Sequence, residues 1–135
     1  MRTFAFLLFG LLFCGCSSQA DFQKAERATD EFHMQFAKGS YGEIYDASDG
    51  AVKTSATREQ MIGMLQRINH KLGPCGDPQR QSFNVNYNTK GTFVTMAYTR
   101  KCANGQLAEN FVWRIQEGKP ILYGYHFNSP ASATD

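Results

Sequence analysis

Glu109 is the side chain whose type and position most suggest chemistry. It has the same alternation parity as Phe111 and Trp113, so on a half-buried strand it would face the core with them. A carboxylate in apolar surroundings can titrate near neutral pH and act as a general base. The plainer interpretation, which the sequence favours, places Glu109 close to a turn, either in water or paired with Arg100.

Tyrosines supply the other candidate ligand contacts. Tyr123 and Tyr125 flank Gly124, and a tyrosine offers a ligand both apolar area and a hydroxyl. Ordinary core packing is the alternative for both side chains. The predicted lining of a possible pocket is Tyr98, Glu109, Phe111, Trp113, Tyr123 and Tyr125. No residue is predicted to be catalytic, and no cofactor is predicted.

The histidines do not converge with these residues in the sequence. His126 has the opposite parity to Tyr125 and is predicted to lie on the outer sheet surface. His33 and His70 lie off the apolar stripes of their helices and are predicted to be solvated. Scattered single residues give no Ser-His-Asp or Cys-His constellation, and the sequence has no glycine-rich phosphate loop.

Two of the four cysteines lie in the N-terminal segment, which leaves Cys75 and Cys102 as one even pair. In an oxidising compartment this pair is predicted to form a disulfide. It would close a loop of roughly 28 residues and stabilise the fold by about 3.5 kcal/mol. A zinc site that adds His70 and His126 is the alternative, but the spacing matches no zinc motif, so no metal is predicted.

Composition limits the possible functions. The chain has 135 residues, 42% of them hydrophobic and 19% charged, which is ordinary for one globular domain with a short appendage. The formal net charge is +2, and the basic side chains are scattered along the sequence. Nucleic-acid-binding proteins normally present a clustered basic face, so this function is not expected.

A sheet predicted between Ser82 and Phe127 must position the candidate residues. Its four segments alternate apolar and polar residues with the period of a strand. Turns at Asn88–Gly91, Asn104-Gly105 and Glu117–Lys119 separate the segments, and Asn104-Gly105 is typical of a type I′ hairpin turn. The predicted inward-facing residues of the last three segments are Val94, Met96 and Tyr98; Leu107, Glu109, Phe111, Trp113 and Ile115; and Ile121, Tyr123, Tyr125 and Phe127.

Helices are predicted before this sheet. Apolar residues at helical spacing predict a first helix from about Ala20 to Lys38, which Gly39 ends. The segments Ser40–Glu43 and Thr57–Gln60 have the spacing of capping boxes and predict two further helix starts. Asp49-Gly50 is predicted to be a turn, and Gly73-Pro74 ends the last helix.

The amino terminus has the features of an export signal. Arg2 precedes an apolar run of about ten residues, which is too short to cross a bilayer core of about 30 Å. Gly15 and Cys16 follow. This segment resembles the signal of bacterial lipoproteins, whose cleavage motif ends with a small residue and an invariant cysteine. An ordinary signal peptide cut near Ala20 is the alternative.

The lipoprotein resemblance implies lipidation of Cys16 and attachment to a membrane. Ser17, rather than an aspartate, follows Cys16, which implies sorting to the outer membrane of a Gram-negative cell, facing the periplasm. The predicted division of the chain is a signal peptide at 1–15, a lipidated tether at 16–21, an α+β domain at 22–128 and a disordered tail at 129–135.

Helices followed by an antiparallel sheet predict an α+β fold with the helices on one sheet face. From Phe22 to Phe127 the chain resembles the cystatin-like, nuclear-transport-factor-two-like superfamily (SnoaL-like cones), through the Gly39–Tyr45 helical hairpin and the final Leu122–Tyr125 strand. The resemblance implies a curved four-stranded sheet, a concave pocket against the helices and often a homodimer. It implies no reaction, because the fold hosts enzymes, carriers and scaffolds.

The predicted function is therefore non-catalytic binding of a small apolar ligand or an envelope partner by a membrane-anchored lipoprotein. A structural subunit of an envelope assembly, docking through the outer sheet face, is the first alternative. The second is an isomerase, dehydratase or hydrolase of the cone type, in which Glu109 would act as the base.

Overall fold

In a computed structural model of the chain, the described residues run from 16 to 129. The predicted signal peptide and residues 130–135 of the predicted tail lie outside the described residues. Ser129, which we expected to begin the disordered tail, is instead buried. No helix within residues 16–129 is both long and apolar enough to cross a membrane.

Four helices precede the sheet. They are α1 (Cys16–Lys38), α2 (Tyr41–Asp46), α3 (Gly50–Ser55) and α4 (Arg58–Leu72). The first begins earlier than the predicted start at Ala20, so the segment predicted as a tether has a helical backbone. The apolar stripe of α1 is buried as predicted, and its members are Phe22, Ala25, Thr29, Phe32 and Phe36.

Local capping signals fix most helix ends. Gly39 and Gly73 follow α1 and α4 with φ of 75° and 66°, a left-handed conformation that glycine adopts without steric cost. Thr57 and Gln60 form the predicted capping box at the start of α4. Ser40 precedes α2, but its side chain makes no capping hydrogen bond, so the capping box predicted at Ser40–Glu43 is wrong.

Helix α3 begins at Gly50, where the sequence predicts only a turn at Asp49-Gly50. The Asp49 carboxylate accepts a hydrogen bond from the Ala51 N–H at 2.9 Å and caps this six-residue helix. The Asp49 N–H also donates to the Leu122 carbonyl at 2.8 Å. The α2–α3 connection is thereby attached to the last strand.

The sheet is the predicted antiparallel meander in the order β1-β2-β3-β4. The strands are β1 (Gln79–Asn88), β2 (Gly91–Cys102), β3 (Gly105–Gln116) and β4 (Lys119–Asn128). Glu117 and Gly118 both have positive φ, as a type I′ hairpin turn requires. The sequence predicts this turn type at Asn104-Gly105, but Asn104 does not have positive φ and Cys102 pairs directly with Gly105, so that prediction is wrong.

Helix α1 packs on the inner face of this curved, unclosed sheet. Trp113 of β3 donates its indole N–H to the Thr29 hydroxyl at 2.9 Å, and the Phe32 ring lies 4.9 Å from that of Phe111. The predicted inward residues Val94, Met96 and Tyr98 of β2 are all buried. The predicted α+β fold class is therefore confirmed.

A register irregularity in β4 overturns one predicted orientation. Val112 pairs with Gly124 while Trp113 pairs with Leu122, so Tyr123 has no partner on β3. The extra residue shifts the alternation, and Leu122 rather than Tyr123 faces the core. Tyr123 is 37% exposed, and its ring lies 5.0 Å from that of Phe93. The prediction that Tyr123 faces the helices is wrong.

The Cys75 and Cys102 sulfur atoms lie at disulfide distance, 1.94 Å apart. The bond joins the connection before β1 to the end of β2. Neighbouring backbone hydrogen bonds hold the same junction, since the Gly76 N–H donates to the Lys101 carbonyl at 2.7 Å. The predicted pairing is thus observed, and it uses both thiols that the zinc alternative required.

Candidate functional site

A buried polar cluster connects α1 to the inner face of the sheet. His33 Nε2 lies 2.8 Å from Glu109 Oε2, and the Tyr125 hydroxyl donates to Glu109 Oε1 at 2.9 Å. His33 is 7% exposed and Glu109 is 4% exposed. The Glu109 carboxylate of β3 therefore links the neighbouring strand β4 to α1, whose His33 is 76 residues away in sequence.

This cluster corrects two predictions. Glu109 is neither in water nor paired with Arg100, because the inward parity of β3 carries it under α1. Arg100 donates its Nε–H to the Gly76 carbonyl at 3.1 Å instead. His33 is not solvated, because it lies one turn after Thr29 on the buried side of α1 and continues the stripe through Ala25 and Thr29. His70 and His126 are exposed, as predicted.

Aromatic rings enclose the cluster. The His33 ring lies 5.5 Å from Phe111 and 5.8 Å from Tyr98, both in edge-to-face geometry. Burial, together with the Glu109 carboxylate, raises the pKa of Tyr125 well above its ordinary value. Tyr125 therefore remains a neutral hydrogen-bond donor to Glu109 throughout the physiological pH range.

Chemically, a carboxylate bonded to one imidazole nitrogen orients the ring and supports proton transfer at the other nitrogen. His33 Nδ1 is buried and has no hydrogen-bond partner among the described residues. However, His33 and Glu109 line none of the three cavities described below. His33 and Glu109 are therefore placed to hold elements together rather than to meet a substrate, and Tyr125 is the cluster member that also lines one of these three cavities.

The largest of these cavities, of about 670 Å³, lies between α1, α2 and the β3–β4 hairpin, and we call it the α1–β4 pocket. Its lining combines a floor of core side chains with a rim of charged ones. The residues are Lys24, Arg27, Ala28, Glu31, Phe32, Gln35, Ile44, Ala47, Trp113, Gly118, Lys119, Pro120 and Leu122.

The floor of the α1–β4 pocket is apolar and rigid. Phe32, Ile44, Trp113 and Leu122 are each 5% exposed or less, so they belong to the packed core and only their edges face the pocket. The Trp113 indole is further fixed by its bond to Thr29. This floor is preformed and suits an apolar group.

The rim of the α1–β4 pocket is cationic. Lys24 and Arg27 come from α1, Lys119 follows the β3–β4 turn, and Glu31 is the one acidic side chain in the lining. Lys24 Nζ lies 3.3 Å from Asp21 Oδ1. Among the described residues, Arg27 and Lys119 have no ion-pair partner.

Two further cavities lie along α4. A groove of about 490 Å³ runs between α3, α4 and the edge of β4, and Tyr123, Tyr125 and Met64 are among its lining residues. A smaller cavity of about 240 Å³ lies between α4 and the end of β4, next to Phe127. Within residues 16–129 no group of three or more His, Cys, Asp or Glu side chains could hold a metal ion.

The structure thus divides the six residues predicted to line a pocket. Tyr98, Glu109, Phe111 and Tyr125 lie together around His33 in the core, and Trp113 reaches the α1–β4 pocket. Tyr123 contacts Phe93 on the outer face of the sheet, and Tyr123 and Tyr125 both line the groove along α4.

The sequence interpretation missed Lys24, Arg27 and Lys119, because residues 24 and 119 are brought together only by the tertiary fold. His33 carried a local signal, since its spacing from Ala25 and Thr29 is helical.

No protein-family model matches the sequence, and no curated protein matches it at a significant level.

Proposed function

We propose that this protein is a lipid-anchored envelope protein that binds a small apolar ligand in the α1–β4 pocket without transforming it. The apolar floor of Phe32, Ile44, Trp113 and Leu122 is the observation that carries the proposal. Ligand sites in proteins are typically clefts of about 300–1,000 Å³ with mostly apolar linings. A pocket of about 670 Å³ falls within this range.

We propose binding without catalysis because of the residues in and around the α1–β4 pocket. Its floor has no titratable side chain, and the buried acid–base pair of His33 and Glu109 belongs to a different part of the core. A general base must come within hydrogen-bond reach of the proton that it removes. Turnover of a pocket ligand by Glu109 would therefore require the core to open.

The proposed anchor is Cys16, lipidated as in bacterial lipoproteins and held in the outer membrane, with the domain in the periplasm. The α+β architecture supports assignment to the cystatin-like cones. Replacing Cys16 by serine would abolish palmitate labelling under this proposal, and label retained on that variant would refute the anchor. Since α1 begins at Cys16, Lys24 lies only about 12 Å along the helix from the anchor residue.

A structural role in an envelope assembly stays the alternative. It would use the outer sheet face, where Tyr123 is 37% exposed and contacts Phe93. The exposed aromatic side chains of β1, Phe83 at 49% and Tyr87 at 53%, do not extend that surface, because they lie on the α1 side of the sheet, where they contact side chains of α1. Homodimerisation through the outer sheet face would be a special case of the same proposal.

The ligand proposal is tested with a neutral probe, N-phenyl-1-naphthylamine, whose fluorescence rises in apolar surroundings. We expect saturable binding of one probe per protein. Ala47→Phe should abolish it, because Ala47 is exposed at the pocket rim and a phenylalanine ring there would fill the entrance. Gln35→Phe, on the opposite wall, should have the same effect.

The matched control is Ala37→Phe, which makes the same change at an exposed position of α1 outside the pocket lining. It should bind the probe like the parent protein. Binding that survives both Ala47→Phe and Gln35→Phe would place the apolar site elsewhere, and no binding to the folded parent protein would remove the proposed function.

A further inference from the structure

Resting on the proposed function, we propose that the natural ligand of the α1–β4 pocket is a single-chain lipid with an anionic head group. Its acyl chain would lie on the apolar floor and its head would pair with Arg27 and Lys119. The proposal is based on a juxtaposition in this pocket. An apolar floor lies next to two cationic side chains that have no ion-pair partner among the described residues.

The cations are placed to act on one head group. Arg27 lies one helical turn after Lys24 on α1. The Lys24 ammonium group lies next to Gly118 in the β3–β4 turn, 4.0 Å from the position that a β-carbon on this residue would occupy. The β3–β4 turn thus brings Lys119 to the same mouth as the two α1 cations. Guanidinium and ammonium groups both bind carboxylate and phosphate oxygens through charge-assisted hydrogen bonds.

Glu31 is the opposing charge in this rim, and Asp21 partly neutralises Lys24. Glu31 lies one turn after Arg27, and no ion pair joins the two side chains within residues 16–129. Arg27 and Lys119 consequently remain available to a ligand. A cationic head would leave both cations without a partner, and the ammonium group of a zwitterionic head would place a like charge beside them.

The position of the pocket also indicates the source of the ligand. The Tyr87 hydroxyl lies 3.5 Å from Asp21 Oδ2, and Lys24 lies next to the β3–β4 turn, so the first turns of α1 lie at the sheet end that carries the β1–β2 and β3–β4 turns. With a lipid on Cys16, this end faces the membrane and the disulfide end faces away from it. The pocket then lies next to the lipids of the anchoring membrane.

The test is displacement of N-phenyl-1-naphthylamine by myristate, by its uncharged methyl ester, and by lysophospholipids with a glycerol phosphate or a choline head. We expect myristate and the anionic lysophospholipid to bind about tenfold tighter than the ester and the choline lipid, since one hydrogen bond between charged groups accounts for that ratio. Preference for one of the two anions identifies a carboxylate or a phosphate head.

Charge reversal supplies the second arm. Arg27→Glu and Lys119→Glu should each remove the roughly tenfold advantage of the anions over the ester, measured within the same variant. The matched control is Lys90→Glu, because Lys90 lies in the β1–β2 turn at the same sheet end but outside the pocket lining. It should leave every affinity unchanged.

Equal affinities for anions and ester, unaffected by Arg27→Glu and Lys119→Glu, would overturn the head-group proposal while leaving an apolar-ligand site intact. An equal loss of anion affinity in Lys90→Glu would also overturn it, because the effect would then come from the general field of the protein. Failure of every lipid and of the neutral probe would instead remove the proposed function.

Discussion

At the scale of single residues, Glu109 has the most consequential surroundings. Its two oxygens are bonded to His33 of α1 and Tyr125 of β4. Hydrogen bonds to a charged group are stronger than neutral ones, and a buried carboxylate that loses its partners is costly. We infer that this network specifies how α1 sits on the sheet.

Glu109→Gln is therefore expected to lower the free energy of unfolding by about 1–3 kcal/mol, because the amide keeps the shape of the carboxylate but loses the charge that both bonds use. Urea unfolding followed by circular dichroism measures the change. The control is Glu117→Gln, at an exposed turn position, which should stay within about 0.5 kcal/mol of the parent protein.

A double-mutant cycle with His33→Gln isolates the contact between α1 and β3. We expect a coupling free energy of about 0.5–3 kcal/mol, because the two side chains touch and share one network. If Glu109→Gln is as stable as the parent protein, or if the two substitutions are additive, the network does not hold α1 in place.

Tyr98 gives the protein a pH-dependent stability at the alkaline end. Burial raises the pKa of Tyr98 to about 12, from an ordinary value of 10.0, with the Glu26 carboxylate acting in the same direction. Above about pH 10 the unfolded chain releases the phenol proton of Tyr98, whereas the folded protein keeps it. The stability that neutral Tyr98 contributes is therefore lost as pH rises from about 10 to about 12. Below about pH 10 it contributes no pH dependence.

The expected outcome is that Tyr98→Phe makes the fall in stability between about pH 10 and about pH 12 less steep. Urea unfolding at several alkaline pH values measures that slope, and ultraviolet titration of phenolate absorbance should lose a late step in the same variant. Tyr87→Phe is the control, since Tyr87 is 53% exposed. An unchanged alkaline slope in Tyr98→Phe would show that this phenol ionises normally.

At the scale of elements, local signals predicted the end of α1 and both ends of α4. Gly39, Gly73 and the Thr57 capping box act through contacts within a few residues, so the sequence contains nearly all the physics that fixes them. Ser40 has the same spacing without forming a capping box, because its backbone (φ −81°, ψ 49°) lies outside the extended region that N-cap residues typically adopt.

The orientation along β4 could not be predicted in the same way. Strict alternation placed Tyr123 and Tyr125 on one face, whereas the irregularity opposite Val112 and Trp113 puts Leu122 and Tyr125 inside. A bulge is a property of the pairing between two strands, and the period of one strand does not reveal it. Strand alternation therefore does not predict which residues of β4 line a pocket once the strand has passed the bulge.

At the scale of the whole molecule, the fold places two sets of polar side chains in separate regions, although their positions alternate along the sequence. His33, Glu109 and Tyr125 converge inside the core, whereas Lys24, Arg27 and Lys119 converge at the mouth of the α1–β4 pocket. Residues 24 and 119 are far apart in sequence, so only the completed packing of α1 against the β3–β4 hairpin creates the rim. The fold class followed from the sequence, but this site did not.

The same packing joins the proposed anchor to the proposed site. Helix α1 begins at Cys16 and supplies Lys24, Arg27 and Phe32 to the pocket. A lipid on the first residue of this helix would hold the pocket close to the membrane surface. The helix that carries the proposed membrane anchor would then also form one wall of the binding site.

Lipid binding in the α1–β4 pocket can be measured directly at Trp113, which lies in the pocket floor and is the one tryptophan of the chain. Myristate carrying bromine on its acyl chain quenches tryptophan only at contact distance. We expect a saturable loss of Trp113 fluorescence with one lipid per protein, no loss with unbrominated myristate, and little loss in the Ala47→Phe variant. Unquenched Trp113 in the folded parent protein at saturating dissolved lipid would contradict lipid binding in this pocket.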